Sequence, residues 1–353
     1  MQMIKTAVFY SGLYPGLSNY NTIKKFFPCF AGGCSSYPVS VNLLITSRCN
    51  FRCSMCSFYG VEQSGEEKEL GFEEIKKFIE EISRYKPIVF LGGGEPFIRK
   101  DIYEIIAEIK KQGLKCIVST NGYLLDIDEL NKLNIDYLII SLYGPRDIHN
   151  KITQTPDAYQ VAIKKIRQLL KSSSVNRIIV SVVLMPENIV HLDGLIAELV
   201  SLGIKTVKIE NLNYITFKEY QESPRLKEGF DITPCTLIRE NDFKSSDIEL
   251  FWRIVSKLFK KYKGKLFLKP NLSKIGFFNW YSGKNIKDKC HFIKHSLFIS
   301  PSGDILPCQF LRNSILGKIN QNEIEYIWHS NRYDNLRQVI RGTDLNICKR
   351  CCK

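Results

Sequence analysis

Three cysteines lie close together in one short loop. Cys49, Cys53 and Cys56 are spaced as C-x3-C-x2-C and directly follow the apolar run Val41–Thr46. Three thiols that close cannot all pair as disulfides, but together they can bind three irons of a four-iron cube. The fourth iron then stays open for a substrate or cofactor, as the open position does on a catalytic metal. A zinc knuckle is the competing interpretation of the same spacing.

Glycines and polar residues follow the next two apolar runs. The motif G-G-G-E-P at 92–96 follows Pro87–Leu91, and S-T-N-G at 119–122 follows Lys115–Val118. Together with the cysteine loop, these motifs resemble the radical S-adenosylmethionine (radical SAM) superfamily. The resemblance implies a reduced [4Fe-4S] cluster that binds S-adenosylmethionine (SAM) at its open iron. It also implies cleavage of SAM to a 5′-deoxyadenosyl radical, which takes a hydrogen atom from the substrate.

The resemblance further implies which residues contact SAM. Gly93 and Gly94 let the backbone approach the SAM amine, and Glu95 places a charge beside it. Met55 precedes the third cysteine, at a position that is often aromatic in the family, and its polarizable thioether can still pack on adenine. Polar side chains from later strands can bind the ribose or carboxylate of SAM: Asn121, Ser141 and Ser181.

Two positions depart from the family's pattern. The fourth-strand motif often reads Ser-x-Asp-Gly-Pro, and here Tyr143 stands in place of the aspartate. The downstream motif His-Asp-x-x-Arg reads His-Asn-Lys-Ile-Thr, so Thr153 stands where some relatives have an arginine that binds the SAM carboxylate. Lys151 is the nearby cation that could replace it.

Short apolar runs alternate with amphipathic segments from about residue 41 to residue 211. Strands separated by helices require crossover connections and predict a parallel sheet. Six such units resemble the partial (β/α)6 TIM-like barrel of radical SAM enzymes, an α/β fold whose active site lies at the carboxyl ends of the strands. The predicted strands are Val41–Thr46, Pro87–Leu91, Lys115–Ser119, Asp136–Leu142, Arg177–Leu184 and Thr206–Glu210, and the predicted helices are Phe72–Ser83, Asp101–Gln112, Ala158–Lys171 and His191–Leu202.

A second set of cysteines lies near the C-terminus. Ser296–Ser300 and Asp304–Pro307 flank Pro-Ser-Gly, which predicts a β-hairpin, and residues 322–341 are helix-like. With the G-x4-C spacing that ends at Cys308, these features resemble the auxiliary-cluster domains called SPASM and its shortened form, Twitch. A full SPASM domain needs seven cysteines, so we expect the Twitch form with one auxiliary [4Fe-4S] cluster, which suits electron transfer or structure. The implied ligands are Cys290, Cys308, Cys348 and Cys351, with Cys352 as a substitute for Cys351 or Cys290 and a zinc site as the alternative.

These observations divide the chain into four parts. Cys29 and Cys34 fall in the first part, where their role is open. Within the third part, the spacing of Ser246 and Glu249 predicts a capping box that opens a helix. The parts are an N-terminal extension (1–40), the radical SAM partial barrel (41–235), a basic, aromatic connecting region (236–287) and a small α+β auxiliary-cluster domain (288–353).

Cys235 is a lone thiol expected near the barrel mouth. It could return a hydrogen atom to a substrate radical, as in some peptide epimerases. The alternative is a buried structural cysteine, because free cysteines often behave as small apolar residues.

The positive charge of the chain is concentrated in one stretch. The net charge is 50 − 36 = +14, and residues 251–295 hold twelve Lys or Arg against one acid, Asp288. Aromatic residues alternate with the lysines. The stretch is either a solvated face over buried aromatics or a surface for an acidic partner, such as a peptide, a phosphorylated substrate, a membrane surface or RNA.

Length and composition restrict the cellular context. The 353 residues, 44% of them hydrophobic, can bury one large core and a smaller domain. No apolar stretch reaches the ~18–20 residues that span a bilayer, and Met1–Pro15 lacks the pattern of a secretory signal. The chain has twelve cysteines, and the C-x3-C-x2-C and C-x2-C groupings among them predict a reducing cytoplasm rather than a disulfide framework.

The resemblance implies a radical SAM oxidoreductase or maturase but leaves the substrate open. One hypothesis is modification of a ribosomally synthesised peptide by cross-linking, thioether formation or epimerisation. Another is oxidation or C–C bond formation on a small molecule or lipid, with the auxiliary cluster as electron acceptor. A third, from a different class, is a basic nucleic-acid-binding iron–sulfur protein, but that would leave the open iron unused. The expected partners are a reductant such as flavodoxin or ferredoxin and an acidic peptide, small molecule or lipid, with peripheral membrane contact allowed.

Overall fold

A computed structural model describes residues 34–57, 68–172, 175, 177–270, 272–284, 290, 292–342 and 345–351. Its first part alternates strands and helices, as the sequence pattern predicts. The elements in chain order are β1 (Ser40–Thr46), α1 (Phe72–Ser83), β2 (Ile88–Gly93), α2 (Ile102–Lys111), β3 (Lys115–Thr120), α3 (Ile127–Asn131), β4 (Tyr137–Ser141), α4 (Arg146–Thr153), α5 (Ala158–Lys171), β5 (Ile178–Val183), α6 (Leu192–Ser201) and β6 (Val207–Glu210).

The second part contains shorter elements around one long helix. In chain order they are β7 (Ile215–Thr216), α7 (Phe217–Glu222), β8 (Leu226–Lys227), β9 (Phe230–Asp231), β10 (Ile238–Arg239), α8 (Ser245–Lys261), β11 (Leu266–Lys269), α9 (Lys274–Tyr281), β12 (Ser296–Ile299), β13 (Asp304–Leu306), β14 (Gly317–Lys318), α10 (Ile324–Trp328) and α11 (Asn331–Gly342). The predicted β-hairpin is confirmed, because β12 and β13 pair antiparallel.

One ten-stranded sheet joins the two parts, in the order β11-β6-β5-β4-β3-β2-β1-β12-β13-β14. The six predicted strands are confirmed as β1 to β6, all parallel to their neighbours. A seventh parallel strand, β11, pairs with β6 and comes from the predicted connecting region, where α8 forms its crossover. The hairpin of the auxiliary domain adds to the other side of the barrel sheet, because β12 lies parallel to β1.

One local prediction is wrong, and another is confirmed with a break in the helix. Helix α8 begins at Ser245 with Lys244 as its N-cap and no capping side chain, so Ser246 and Glu249 form no capping box. The extended backbone of Lys244 starts the helix before Ser246 can act as a cap. The helix-like residues 322–341 form two helices, because Ser330 interrupts them and its hydroxyl accepts a hydrogen bond from the Tyr333 amide at 3.2 Å.

The strand alternation places two kinds of residues on the two faces of the barrel sheet. Outward residues such as Leu138, Ile140, Val207 and Ile209 join the main core beneath the helices. A separate apolar cluster fills the interior and comprises Ile117, Tyr137, Ile139 and Ile179, with Ile88, Phe90 and Phe267 packed against it. Because side chains alternate along a strand, the next inward positions lie closer to the strands' carboxyl ends.

The aromatic residues of the basic stretch are largely core residues. Phe251, Phe277, Trp280 and Tyr281 are buried, and several make edge or tilted ring contacts with one another. The lysines on the opposite face of α8 and in the following turn are exposed. In the described residues, no helix is long and apolar enough to cross a membrane.

Candidate active site

The three cysteines of the first motif lie in the loop that follows β1. All three are free thiols, with Cys49 exposed and Cys53 and Cys56 partly buried. The C-terminal end of α4 holds this loop through its backbone carbonyls: Arg52 N donates to Thr153 O at 3.3 Å, and Ser54 N donates to Ile152 O at 3.0 Å. The last turn of α4 therefore fixes the position of the cysteine loop.

The three sulfurs are close enough to influence one another's ionisation. Burial raises the pKa of Cys49 and, more strongly, that of Cys53, and the neighbouring thiolates raise both further. Deprotonating Cys49 and Cys53 therefore requires positive charge beside them, which bound iron would supply. In the described part of the chain, no three His, Cys, Asp or Glu side chains are arranged to hold a single metal ion. The donor set, three thiols on one loop, fits the cluster that the sequence predicts.

The glycine motif packs directly against the backbone that leads into the cysteine loop. Gly93 has a φ of +124°, and a Cβ there would lie 2.2 Å from Thr46 O. A Cβ on Gly94 would lie 2.2 Å from Arg48 O. The backbone amides of Gly94 and Glu95 donate to Thr46 O and Arg48 O, both at 2.8 Å. Any side chain at these glycines would push the two loops apart, so the contact that requires glycine here is with the cysteine loop itself.

Glu95 links the ends of β2 and β3. Its carboxylate accepts hydrogen bonds from Thr120 Oγ1 at 2.7 Å, Asn121 N at 2.7 Å and Phe97 N at 3.1 Å. Burial raises the pKa of Glu95 to about 7. Asn121 extends the link, because its side-chain amide donates to Asn50 Oδ1 at 2.8 Å. Glu95 and Asn121 therefore lie beside the cysteine loop and also hold it in position.

The position of the expected carboxylate-binding arginine holds no cation. Thr153 is fully buried, and its hydroxyl donates to His149 O at 2.9 Å. Lys151 is exposed on α4. Met55, the residue before Cys56, is partly buried and packs against the main core.

Polar side chains of β4, β5 and β6 line the barrel interior above its apolar cluster. Ser141 and Ser181 are paired in register, and Ser181 Oγ donates to Glu210 Oε1 at 2.8 Å. Tyr143 follows Ser141. Burial raises the pKa of Tyr143 well above its usual value, and the nearby Cys53 thiolate raises it further, so its hydroxyl stays protonated.

The sequence analysis named Tyr143 only as a departure from a family motif, and it missed two further interior residues, Lys208 and Glu210. Their signal was the strict alternation of β6, in which the apolar Val207 and Ile209 face the helices. That pattern leaves two charged residues facing the barrel interior.

Two other cysteines, Cys290 and Cys235, lie within electrostatic reach of Cys308. Burial raises the pKa of Cys308 to about 12, and thiolate charge at Cys290 and Cys235 adds to this. Cys235 N donates to Phe310 O at 2.9 Å. The structure thus places Cys235 against the auxiliary loop. Cys351 is partly buried and packs against the main core, and Cys348 is exposed. Cys34 lies on the same side, within electrostatic reach of Tyr333 together with Cys290 and Cys308, whereas Cys29 and Cys352 lie outside the described residues.

A buried arginine anchors the turn that carries the last cysteines. Arg350 is fully buried, and it pairs with Glu219 at 2.7 Å and with Asp242 at 2.5 Å. Its guanidinium also lies 4.3 Å from the ring centroid of Tyr214. Lys349 pairs with Glu219 at 3.3 Å. These contacts attach the C-terminal turn to the segment that leaves the barrel after β6.

The barrel carries a three-cysteine loop after its first strand and a glycine loop after its second, and a further cysteine group lies beside it. Together these features define a SAM-dependent iron–sulfur enzyme. Residues 43–199 match the model of the radical SAM superfamily, so the chain contains a radical SAM domain. The SPASM model, an iron-sulfur cluster-binding domain, matches residues 290–352. The cofactors are therefore SAM, the [4Fe-4S] cluster that binds it and an auxiliary iron–sulfur centre.

Two curated proteins are similar over most of the chain. One is the tungsten-containing aldehyde ferredoxin oxidoreductase cofactor-modifying protein of Pyrococcus furiosus, 26% identical over 88% of this chain and 86% of its own length. The other is the PqqA peptide cyclase of Bradyrhizobium diazoefficiens, 25% identical over 89% of this chain and 78% of its own length.

Solved structures share the fold. Streptococcus suis SuiB bound to its precursor peptide SuiA superposes with a TM-score of 0.64 at 13% identity, covering 99% of this chain and 83% of SuiB. The structure of anSMEcpe with bound AdoMet (SAM) gives a TM-score of 0.62 at 15% identity, and the match covers 89% of each chain. These similarities confirm the α/β barrel with a C-terminal auxiliary domain.

Proposed function

We propose that this enzyme uses radical SAM chemistry to modify a ribosomally synthesised peptide, forming a cross-link, a thioether or an epimerised residue. The observation that carries the proposal is the similarity to the PqqA peptide cyclase, which extends over 89% of this chain. When bound, SAM and its cluster supply a radical that removes a hydrogen atom from the substrate.

In this proposal the chain's own residues hold the reactants and exclude water. Cys49, Cys53 and Cys56 hold the first cluster, and the glycine loop packs beside them. The residues proposed to contact SAM are Met55, Gly93, Gly94, Glu95, Asn121, Ser141 and Ser181. The residues proposed to hold the auxiliary cluster are Cys290, Cys308, Cys348 and Cys351.

The cellular setting and one further thiol complete the proposal. A flavodoxin or ferredoxin is the proposed reductant, and the cytoplasm is the proposed location. Cys235 lies against the loop of Cys308. If the substrate reaches that loop, Cys235 is the proposed hydrogen-atom donor. Otherwise Cys235 is a buried structural cysteine that packs against the loop of Cys308.

A second candidate function is modification of a small-molecule cofactor. The observation that favours it is the similarity to the Pyrococcus furiosus protein, whose name describes a cofactor-modifying activity and which this chain matches over 86% of that protein's length. Both candidates use the same barrel site, so the substrate distinguishes them.

The test is a mass measurement on peptides encoded beside the gene. The enzyme is reconstituted with iron and sulfide under anaerobic conditions and incubated with SAM, dithionite and each peptide. A cross-link should lower the peptide mass by two hydrogen atoms: one leaves in 5′-deoxyadenosine, and the other leaves as a proton and an electron. Epimerisation in D2O should instead add one deuterium.

Unchanged peptides in both solvents would contradict the peptide proposal. The same reconstituted enzyme is then given small cofactor precursors, with 5′-deoxyadenosine formation above the substrate-free level as the readout. Stimulation by a small molecule alone would favour the second candidate.

The basic face of α8 and its following turn is proposed to bind an acidic region of the substrate. Reversing Lys257, Lys260, Lys263 and Lys265 to glutamate should raise the apparent KM for the modified peptide. The effect should shrink with added salt, because exposed charges are screened over ~8–10 Å at physiological ionic strength. Lys261 stays unchanged in this variant, since it pairs with Asp193 at 2.7 Å. Steady-state kinetics at two salt concentrations measure the effect.

The matched control reverses four exposed cations elsewhere: Lys164, Arg167, Lys171 and Lys205. This control changes the net charge equally but leaves the α8 face intact. An unchanged KM in the α8 variant, or an equal rise in both variants, would show that the face is merely solvated.

A further inference from the structure

One buried tyrosine near the auxiliary cysteines has a hydroxyl group without a partner. Tyr333 is 0% exposed, and within the described residues its Oη makes no hydrogen bond. Burying an unpaired hydroxyl is unfavourable, whereas phenylalanine would fill the same space without that penalty. The hydroxyl therefore indicates a partner that the described part of the chain does not supply.

Two contacts fix the position of this tyrosine. It lies in the first turn of α11, where its amide donates to Ser330 Oγ at 3.2 Å. Its ring packs edge-on against Trp328, with 5.5 Å between the ring centroids. Trp328 is attached in turn to the segment before β1, because its Nε1 donates to Ser35 O at 2.8 Å. The ring of Tyr333 is therefore held between α11 and the chain that enters the barrel.

Arg337 covers the face of the same ring. It lies one turn later in α11, and its Cζ is 3.8 Å from the centroid of the Tyr333 ring. The guanidinium is itself satisfied on three sides, because it donates to Trp328 O at 2.9 Å and Ile293 O at 3.2 Å and pairs with Asp334 at 2.6 Å. Arg337 therefore holds the ring in place, and its nearby charge makes the hydroxyl a stronger hydrogen-bond donor.

Three thiols lie within electrostatic reach of Tyr333: Cys308, Cys290 and Cys34. Burial raises the pKa of Tyr333 above its usual value, and thiolate charge at these cysteines adds to the effect. The hydroxyl therefore keeps its proton at neutral pH. Cys290 and Cys308 are two of the proposed ligands of the auxiliary cluster, and both pack against the same small apolar cluster. An unpaired donor and two proposed ligands thus lie in one buried region.

We propose that the Tyr333 hydroxyl donates a hydrogen bond to a sulfur of the auxiliary cluster, at Cys290 or Cys308. A hydrogen bond to a cluster sulfur stabilises the additional negative charge of the reduced state and so raises the reduction potential. Tyr333 binds no iron in this scheme and acts on the potential alone. The inference rests on one part of the proposed function, the assignment of Cys290 and Cys308 as ligands, and does not depend on the identity of the substrate.

Tyr333→Phe tests the inference, because it removes the hydroxyl and keeps the ring. The midpoint potential of the auxiliary cluster is measured by redox titration of the reconstituted full-length enzyme, followed by electron paramagnetic resonance. The chain with Cys49, Cys53 and Cys56 replaced by alanine identifies which signal is the auxiliary one. Tyr333→Phe should make reduction of that cluster less favourable by about tenfold, which is ~59 mV for a one-electron couple. Its iron content should stay at about eight per chain.

The matched control is Tyr281→Phe. Tyr281 is also 0% exposed, but its hydroxyl already has a partner, since it donates to Asn211 Oδ1 at 3.2 Å. This control should lower the stability of the protein through the lost hydrogen bond and leave the potential of the auxiliary cluster unchanged. An equal shift of the potential in both variants would reflect a general effect of removing buried hydroxyls and would overturn the proposal.

A second readout detects the donated proton itself. After exchange into D2O and reduction, electron–nuclear double resonance counts the exchangeable deuterons coupled to the auxiliary cluster. Tyr333→Phe should show one coupled deuteron fewer than the wild type, and Tyr281→Phe should show the same number as the wild type. If both the potential and the deuteron count are unchanged in Tyr333→Phe, the hydroxyl does not contact the cluster and the inference is wrong.

Cys308→Ala separates failure of the inference from failure of the ligand assignment. This variant should lose the auxiliary signal. If the signal persists unchanged, the assignment of Cys308 is wrong and the inference fails with it. If the signal is lost but Tyr333→Phe leaves the potential unchanged, the ligand assignment stands and the inference alone fails.

Discussion

Replacing Cys49, Cys53 and Cys56 together with alanine is expected to abolish SAM cleavage and remove about half of the bound iron. The seven cysteines proposed as ligands imply two four-iron clusters, hence about eight irons per reconstituted chain. The triple variant removes every proposed protein ligand of the SAM-binding cluster but leaves the auxiliary cysteines intact. Iron analysis and 5′-deoxyadenosine formation under dithionite measure the two effects.

The matched control replaces Cys116 with alanine. Cys116 is a buried free thiol of β3 that packs in the main core. Its loss should leave the iron content near eight per chain, with a modest loss of stability from the small cavity. SAM cleavage that survives in the triple variant would contradict the assignment of the barrel site. One zinc in place of four irons in the wild type would show instead that the C-terminal site is structural.

The sequence was sufficient to predict the parts of the fold that repeat a simple period. Helix α1 buries Ile75, Phe78, Ile79 and Ile82 on one face, and its predicted bounds are the observed ones. The first six strands were equally clear, because a buried parallel strand reads as an apolar run bounded by turn residues. The cysteine spacing then identified the mouth of the barrel, since every motif follows its strand.

The connecting region was harder to predict because its local signals conflict. Strand β11 has four residues, Leu266–Lys269, within a basic, aromatic stretch, and its partner β6 lies far away in sequence. This pairing depends on tertiary contacts, which the intrinsic strand propensity of the four residues does not indicate. The start of α8 was also misplaced: the local pattern favoured Ser246 as a cap, whereas the helix begins at Ser245, directly after the extended residue Lys244.

The candidate site likewise contains residues that the sequence could identify and contacts that it could not. Residues that a family motif names could be located by number, including Gly93, Gly94 and Glu95. The contacts that require them were not predictable, because the closest approach at both glycines is to the backbone around the cysteine loop. Lys208 was also missed, since a lysine in a short strand usually indicates an exposed face. Only the sheet order shows that it points into the barrel.

Cys348→Ala and Cys351→Ala are expected to reduce product formation much more than SAM cleavage. The four cysteine ligands proposed for the auxiliary cluster would leave it no open iron, so it should not be needed to bind SAM. It is needed to accept an electron or to hold its domain beside the barrel. The turn between these cysteines is attached to the barrel side through Arg350, Glu219 and Asp242. Product yield, 5′-deoxyadenosine yield and the cluster spectra are measured for each variant.

Arg350→Met separates the two roles of the auxiliary domain. It leaves all the cysteines in place but removes the buried ion pairs, which leaves the carboxylates of Glu219 and Asp242 without that partner. If the domain acts by position, this variant should lose product while it keeps about eight irons. If the cluster acts by electron transfer alone, the cysteine variants should lose more product than Arg350→Met. Equal loss of SAM cleavage and product in Cys348→Ala, with an intact first-cluster spectrum, would contradict the division of labour between the two clusters.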